Sequence, residues 1–183
     1  MIATILFLLI LFYAIATYNA LTRKRNNVEN AFGAIDAMLK KRYDLIPNLV
    51  ATVQQYAAHE KETLAEITCL RTQNYNSLTE SQKAEFDRSF TAASRNLFMI
   101  AENYPQLRAS ENFMQLQRSL NETEEQLSAA RRTYNAVVTE YNNAVMSVPS
   151  NIIANLFNFT KKEVLTIPEA ERATPNVKNL FQS

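Results

Sequence analysis

Glycine is almost missing from this chain, since Gly33 is the single example among 183 residues. Tight turns between strands and loops that cradle phosphate depend on glycine, because other residues rarely adopt the backbone conformations that such turns need. The scarcity therefore excludes a P-loop and a glycine-rich dinucleotide-binding motif. It predicts an all-α fold.

Cysteine and histidine each occur once, as Cys69 and His59. A lone cysteine excludes an intrachain disulfide framework, and its neighbours EITCLR predict a thiol packed inside a helix. A lone histidine cannot supply the histidine sets of zinc hydrolases or of di-metal helical bundles. The sequence thus indicates a protein that is not an enzyme and that has no catalytic residue, metal or cofactor.

An enzyme would require the fold to gather titratable side chains that are distant in the sequence. No spacing along the chain pairs a serine or cysteine nucleophile with a base. The first distances to check are those between His59 and the carboxylates of Asp36, Asp44 and Glu60.

Charge is nearly balanced, with 19 lysines and arginines against 18 acidic residues. Nucleic-acid binding needs a clustered excess of positive charge, so nucleic acid is not expected as a partner. The basic run LKKRYD (39–44) is expected to be a solvated helix face, and the alternative is a contact with anionic lipid if it folds back to the membrane.

A long uncharged run opens the chain. Residues 1–22 carry no charged side chain and are mostly apolar, and Arg23-Lys24-Arg25 follow. About twenty apolar residues in a helix span a bilayer. The positive-inside rule predicts a single-pass bacterial inner-membrane protein with a short N-terminus outside and a cytoplasmic domain. The alternative is a signal peptide cleaved after the A-x-A pattern of Ala14-Ile15-Ala16.

An amphipathic helix is expected after this anchor, because apolar residues recur at helical spacing from Val28 to Leu39. Pro47 then interrupts it. The helix either kinks there, since the apolar phase continues to Val53, or ends so that Asp44 caps a second helix running to about residue 75. We favour the break near Asp44. A third helix is expected to start at Thr79 or Ser81 and to end before Pro105.

The final helix has the clearest pattern, with apolar spacings of three and four over five heptads. A row of mostly large residues comprises Phe113, Leu120, Leu127, Tyr134, Tyr141 and Val148, and a row of mostly small residues comprises Leu116, Thr123, Ala130, Val137 and Ala144. Alternating bulk lets facing helices interdigitate as in a coiled coil. Pro149 is expected to end the helix.

A polar stripe borders this apolar face at seven-residue spacing and consists of Asn121, Ser128, Asn135 and Asn142. One interpretation is structural, with tyrosines packed inside and asparagines bonded to neighbouring helices or water. Another is that the stripe selects a partner helix or fixes the register of an oligomer. We retain it as a possible interaction stripe. The segment 152–159 either docks on the domain or dips into the membrane, and residues 160–183 are expected to be a flexible tail.

Several blocks of sequence, in the family's order, resemble the LemA family of bacterial membrane proteins. They include KRYDLIPNLVATVQQYAAHEKETL, ENYPQLRASENFMQLQRSLNETEEQLSAARRTYNAVVTEYNNAV and PSNIIANLFNF, and the similarity covers roughly residues 18–159. It implies an N-terminal transmembrane helix at 1–22 and an antiparallel four-helix bundle, an up-and-down variant, at 23–159. Phe32 stands where many members have tryptophan, and Asn158 replaces a glycine common in the family.

These observations favour a membrane-anchored, non-enzymatic helical bundle that acts as a scaffold or adaptor for other envelope or membrane proteins, or that forms homo-oligomers. The alternative is a small-molecule or lipid-sensing bundle with an internal cavity. A pocket lined by Tyr56, Tyr134 and Tyr141 would support that alternative.

Overall fold

The computed structural model describes residues 1–72 and 74–165, and every regular element in these ranges is helical. The elements are α1 (Ile2–Tyr56), α2 (Lys61–Thr72), a 3₁₀ helix (Tyr75–Ser77), α3 (Glu80–Ala101), α4 (Pro105–Arg108), α5 (Glu111–Met146) and α6 (Ser150–Leu156). The all-α prediction is confirmed. The antiparallel four-helix arrangement stays a prediction.

Internal contacts divide the chain into two compact units. The first contains Met1–Ala31 and the described part of Arg131–Ser183, and the second contains Phe32–Ala130. Helices α1 and α5 contribute residues to both units because each is continuous in sequence across a unit boundary.

The predicted break near Asp44 is wrong, because α1 continues through Pro47 to Tyr56. An interior proline costs a helix about 3 kcal/mol, since it removes a hydrogen bond and clashes with the preceding turn. Ile46, Leu49 and Val53 are nevertheless all fully buried, and each such burial contributes about 1.5–3 kcal/mol. Their helical spacing stays in phase across the proline, so burial outweighs the backbone cost.

The second unit has an aromatic cluster where the 3₁₀ helix meets α1 and α3. The rings of Tyr43, Tyr75, Phe86 and Phe90 are linked by centroid distances of 5.6 to 6.0 Å. Offset and edge-on ring pairs add to the stabilisation that burial alone supplies. This cluster therefore fixes the 3₁₀ helix between its neighbours.

Helix α3 begins as the sequence predicts. Thr79 is its N-cap, and a capping box pairs the Thr79 side chain with the backbone of Gln82 and the Gln82 side chain with the backbone of Thr79. The helix ends at Ala101, before Pro105, and Pro105 itself opens the short helix α4 inside the predicted connection.

Only one of the two rows predicted for α5 shifts by one position. The row of large residues is buried as expected from Phe113 to Tyr141. In the row of mostly small residues, Leu116 and Thr123 are buried, but Arg131, Val138 and Val145 then take the place of Ala130, Val137 and Ala144, which are only half-buried. A straight helix has 3.6 residues per turn, so a strict seven-residue pattern slips by about 20° per heptad. Val148 lies beyond the end of the helix and is exposed.

Helix α6 of the first unit has a tight C-terminus. The Phe159 N–H donates to the Ala154 carbonyl at 2.9 Å and the Asn158 N–H donates to the Asn155 carbonyl at 3.4 Å, which is the hydrogen-bond pattern of a Schellman motif. Asn158 has φ 57°, in the left-handed region. Glycine and asparagine are the residues that adopt this conformation most readily.

Two further expectations concern the chain's ends and its cysteine. Helix α1 is long and apolar enough near its start to cross a membrane, as predicted for residues 1–22. Cys69 is exposed rather than packed, because it lies on the face of α2 opposite the buried Leu64 and Ile67. The predicted flexible tail lies mostly in residues 166–183, outside the described residues.

Candidate functional site

The polar stripe of α5 is the sequence-predicted site, and its four members have different surroundings. Asn135 and Asn142 are half-buried and lie in the first unit. Ser128 is half-buried and Asn121 is exposed, and both lie in the second unit. The first unit therefore shows most directly what the stripe does.

Asn135 and Asn142 each form a pair of hydrogen bonds with the backbone of residues 160–165, here called the C-terminal segment. Asn142 Nδ2 donates to the Lys162 carbonyl at 2.8 Å, and the Lys162 N–H donates to Asn142 Oδ1 at 2.9 Å. Asn135 makes the same two bonds with Leu165, both at 2.8 Å. An asparagine amide carries one donor side and one acceptor side, so it pairs with a residue's backbone as a neighbouring strand would.

The tyrosines of the same repeat bind the same segment. The Tyr141 hydroxyl donates to the Thr160 carbonyl at 2.9 Å, and the Tyr134 hydroxyl donates to the Glu163 carbonyl at 3.3 Å. Both rings are buried while their hydroxyls reach the segment. The Tyr–Asn repeat, defined as Tyr134, Asn135, Tyr141 and Asn142, thus supplies six hydrogen bonds to one stretch of chain.

The spacing of the repeat matches the spacing of extended backbone. Seven helical residues separate Asn135 from Asn142 and cover about 10.5 Å, and three extended residues separate Lys162 from Leu165 and cover about 9–10 Å. The tyrosines follow the same rule, since Thr160 and Glu163 are also three residues apart. The segment runs antiparallel to α5, because the higher-numbered helix residues bind its lower-numbered residues.

The site binds the C-terminal segment through the segment's backbone groups. All six bonds from the repeat end on backbone N–H or C=O groups, and the side chains from Thr160 to Val164 are exposed. Every polypeptide offers the same backbone groups. The contacts therefore place no requirement on the side chains of the segment, except that proline is excluded where a backbone N–H must donate.

The surrounding residues position the segment. The left-handed turn at Asn158 directs the chain away from α6, and Phe159 is buried with the Arg25 guanidinium 5.3 Å from its ring centroid. Lys24 on α1 also forms an ion pair with Glu140 on α5. Burial raises the pKa of Tyr141, and the nearby positive charge of Arg25 partly opposes that rise. The Tyr141 hydroxyl therefore stays protonated and remains a donor at neutral pH.

Each of the three carboxylates that the sequence suggested as neighbours of His59 has another polar partner in the described structure. Asp36 pairs with Lys83 and accepts from Tyr75, Asp44 pairs with Lys40, and Glu60 accepts from Tyr104. Across residues 1–72 and 74–165, no group of three or more histidine, cysteine and acidic side chains could hold a metal ion.

The pKa values of Asp36 and Tyr75 are shifted in opposite directions. Burial raises the pKa of Asp36, but the hydrogen bonds from Lys83 and Tyr75 outweigh it, so the pKa lies below its usual value. Burial and the neighbouring Asp36 carboxylate raise the pKa of Tyr75. These groups form a structural contact between α1 and the 3₁₀ helix.

Sequence reasoning missed Arg42, which was assigned to a solvated face. Its side chain is 3% exposed and pairs with Asp87 and Glu124. The spacing held a signal, because Arg42 lies three residues after Leu39 and four before Ile46, both of which are buried. An arginine in a core row indicates a buried ion pair.

The docked C-terminal segment was also missed. Its recognition uses backbone groups that every residue carries, so no side chain in TKKEVL (160–165) marks it. The signal lay on the helix instead, in the seven-residue recurrence of asparagine with tyrosine.

Comparison with known proteins identifies the family of this chain. The LemA family profile matches residues 31–179. Protein LemA of Metamycoplasma hominis is 25% identical over 170 residues, covering 92% of this chain and 78% of that protein. Magnetosome proteins MamQ 1 and MamQ 2 of Paramagnetospirillum magneticum are each 24% identical over 191 residues, covering 90% of this chain and 70% of theirs. As its sequence blocks predicted, the chain belongs to the LemA family.

Proposed function

We propose that this protein is a membrane-anchored, non-enzymatic scaffold or adaptor that binds extended segments of other envelope proteins through the Tyr–Asn repeat of α5. Helix α1 supplies the anchor, with a short N-terminus outside and the rest of the chain in the cytoplasm. Residues 23–159 form the antiparallel bundle. The observation that carries the proposal is the set of six hydrogen bonds from the repeat to backbone groups.

A backbone-directed site suits an adaptor because it does not restrict the partner's side chains. The same principle operates when a peptide adds to an exposed sheet edge, where main-chain hydrogen bonds give affinity and side-chain pockets give specificity. Here the bound side chains from Thr160 to Val164 are exposed. Selectivity would therefore come from the demand for an extended conformation and for free N–H groups three residues apart.

The chain's own segment is held loosely enough for exchange. Six hydrogen bonds contribute about 3–9 kcal/mol at roughly 0.5–1.5 kcal/mol each. Ordering six residues costs about 6–12 kcal/mol at roughly 1–2 kcal/mol each. The two terms are of similar size, so a partner segment can replace the C-terminal segment at modest cost.

The rival function, a small-molecule or lipid sensor with a tyrosine-lined cavity, has less support. Tyr141 is 1% exposed, and the hydroxyls of Tyr134 and Tyr141 donate to backbone carbonyls. Both tyrosines therefore contribute to the segment-binding site.

Photo-crosslinking in intact membranes tests the proposal. A photoreactive residue replaces Thr139, which is exposed and lies four residues from Asn135 and three from Asn142, on the same side of α5. The full-length chain should form adducts with other membrane or envelope proteins, and the N135A/N142A variant should lose them. Asn143→Ala, an exposed neighbour, should keep them.

Two outcomes would contradict the proposal. One is an adduct pattern that is the same in the N135A/N142A variant and in the parent chain. The other is recovery of monomer alone under several growth conditions. Adducts between two copies of this chain would instead support a homo-oligomer in which the repeat binds the segment of another copy.

A further inference from the structure

Helix α6 is apolar on two sides. Ile153 and Ala154 are buried in the first unit, while Ile152 and Leu156 are 64% and 70% exposed, respectively. Ile152 and Leu156 are four residues apart and so share the outward face. Asn155 lies between them and is exposed as well, but a helix on an aqueous surface normally turns polar residues outward rather than large aliphatic ones.

The neighbours of α6 extend this apolar surface. Phe157, at the end of the helix, is 51% exposed, and Val148, just before the helix, is exposed as well. Together Val148, Ile152, Leu156 and Phe157 form the outer apolar patch. A patch of four large apolar residues that follow one another along a helix and its ends marks an interaction surface.

The position of α6 along α1 identifies what covers this patch. The ring centroid of Tyr18 lies 4.8 Å from that of Phe157 and 5.6 Å from that of Phe159. Tyr18 precedes Arg23, the first charged side chain, by five residues, or about 7.5 Å of helix. Helix α6 therefore lies beside the uncharged part of α1, at a level that the bilayer reaches if α1 spans it.

Charge near the patch fits a membrane surface. Arg23, Lys24 and Arg25 follow the uncharged run directly, and Arg25 lies over the ring of Phe159. Basic residues just outside an apolar segment are attracted to anionic lipid headgroups. Aromatic rings such as those of Tyr18 and Phe157 are favoured where headgroups meet the acyl chains.

We propose that α6 is a second membrane contact. Its outer apolar patch inserts into the leaflet on the side where Arg23 and the rest of the chain emerge from the bilayer, while the buried Ile153 and Ala154 keep α6 packed on the protein. The occupant is lipid. The segment 152–159 thus both docks on the protein and enters the membrane, which joins the two alternatives that its sequence left open.

The chain contains no tryptophan, so a single tryptophan reports on one site without background. The test places the full-length variants L156W and Q126W separately in vesicles of phosphatidylcholine and phosphatidylglycerol. Gln126 is exposed on α5 in the second unit and is the matched control. Quenching by lipids brominated on the acyl chain measures contact with the bilayer, and quenching by aqueous iodide measures contact with water.

The proposal predicts that brominated lipid quenches L156W several-fold more strongly than Q126W, and that iodide shows the reverse order. Equal quenching of both variants by iodide, with no effect of brominated lipid on L156W, would overturn it. Protection of L156W from both quenchers would also overturn it, because a protein partner would then cover the patch.

A second measurement applies if tryptophan at position 156 disturbs folding, which circular dichroism would reveal. Leu156→Cys in a Cys69→Ser background carries a nitroxide label, whose collision rates with oxygen and with a water-soluble nickel complex are compared. Oxygen should dominate if the label lies in lipid. Dominance of the nickel complex would overturn the proposal.

Discussion

Arg42 on α1 and Asp87 on α3 form a buried ion pair, with Arg42 Nη1 2.5 Å from Asp87 Oδ1. The guanidinium also lies 5.6 Å from the ring centroid of Phe90 and pairs with Glu124 on α5. One arginine thus connects three helices of the second unit. A buried pair of this kind is costly to break, because removing one partner leaves the other charge uncompensated.

Replacing Arg42 by methionine should lower the free energy of unfolding by about 3–5 kcal/mol, because Asp87 then stays buried without its counter-charge. The double variant R42M/D87L should recover most of that loss, since apolar groups of similar size replace the pair. Urea denaturation followed by circular dichroism measures both. Lys40→Ala removes an exposed pair with Asp44 and should cost less than about 1 kcal/mol. A loss of less than about 1 kcal/mol for R42M would contradict a buried ion pair between Arg42 and Asp87.

The Asp36 contact should make stability fall in acid. Although burial raises the pKa of Asp36, the hydrogen bonds from Lys83 and Tyr75 bring it below its usual value. Its stabilisation is therefore complete above the unfolded pKa of about 3.9 and is lost as the pH falls through the folded value. The difference in unfolding midpoint between the parent chain and D36N should be largest near neutral pH and should shrink below about pH 4.

Glu125→Gln changes an exposed carboxylate and is the control for this measurement. It should leave the pH dependence as in the parent chain. A D36N variant whose midpoint follows the parent chain at every pH would show that Asp36 does not contribute.

Tyr75 gives the opposite dependence at alkaline pH, because its pKa is raised in the folded protein. Its contribution to stability is complete below the unfolded tyrosine pKa of about 10 and is lost as the pH rises above that value.

The left-handed backbone at Asn158, where φ is 57°, should tolerate glycine and resist residues branched at Cβ. Asn158→Gly should leave the unfolding midpoint nearly unchanged, because glycine adopts this conformation without strain. Asn158→Val should cost at least about 1–2 kcal/mol. Thermal unfolding of both variants checks this, and equal stability of the two would contradict the role of the turn.

Cys69 provides a test of membrane orientation, because it is the chain's sole cysteine and it is exposed. If α1 has its N-terminus outside, α2 lies in the cytoplasm. A membrane-impermeant maleimide should then label Cys69 only after cells are permeabilised, and the C69S variant should stay unlabelled throughout. Labelling of intact spheroplasts would place the domain outside.

Much of this fold follows from local sequence patterns. The uncharged opening run, the capping residue Thr79 and the helical spacing of apolar residues each indicated an element that the structure contains. These features are predictable because capping and amphipathicity depend on neighbouring residues. The break expected near Asp44 was wrong because the local cost of Pro47 was weighed without the burial of Ile46 and Leu49, which is a tertiary effect.

The remaining features depend on distant parts of the chain. The row of mostly small residues on α5 shifts by one position at Arg131 because successive seven-residue steps turn slowly around a straight helix. The stripe of Asn135 and Asn142 was found by its recurrence, but what binds it was not, because the C-terminal segment is recognised through its backbone. Sequence can therefore locate one half of such a site when the other half carries no side-chain signal.

The central claim, that the Tyr–Asn repeat binds extended backbone, is tested most directly by hydrogen exchange at single amides of the full-length protein. Lys162 and Leu165 donate their N–H groups to Asn142 and Asn135, so these two amides should exchange roughly fivefold or more slowly than that of Val164, as expected for about 1 kcal/mol per bond. Asn135→Ala should remove the protection of Leu165, and Asn143→Ala should leave it intact. Exchange of Lys162 and Leu165 as fast as Val164 in the parent chain, or unaltered protection of Leu165 in N135A, would contradict the account.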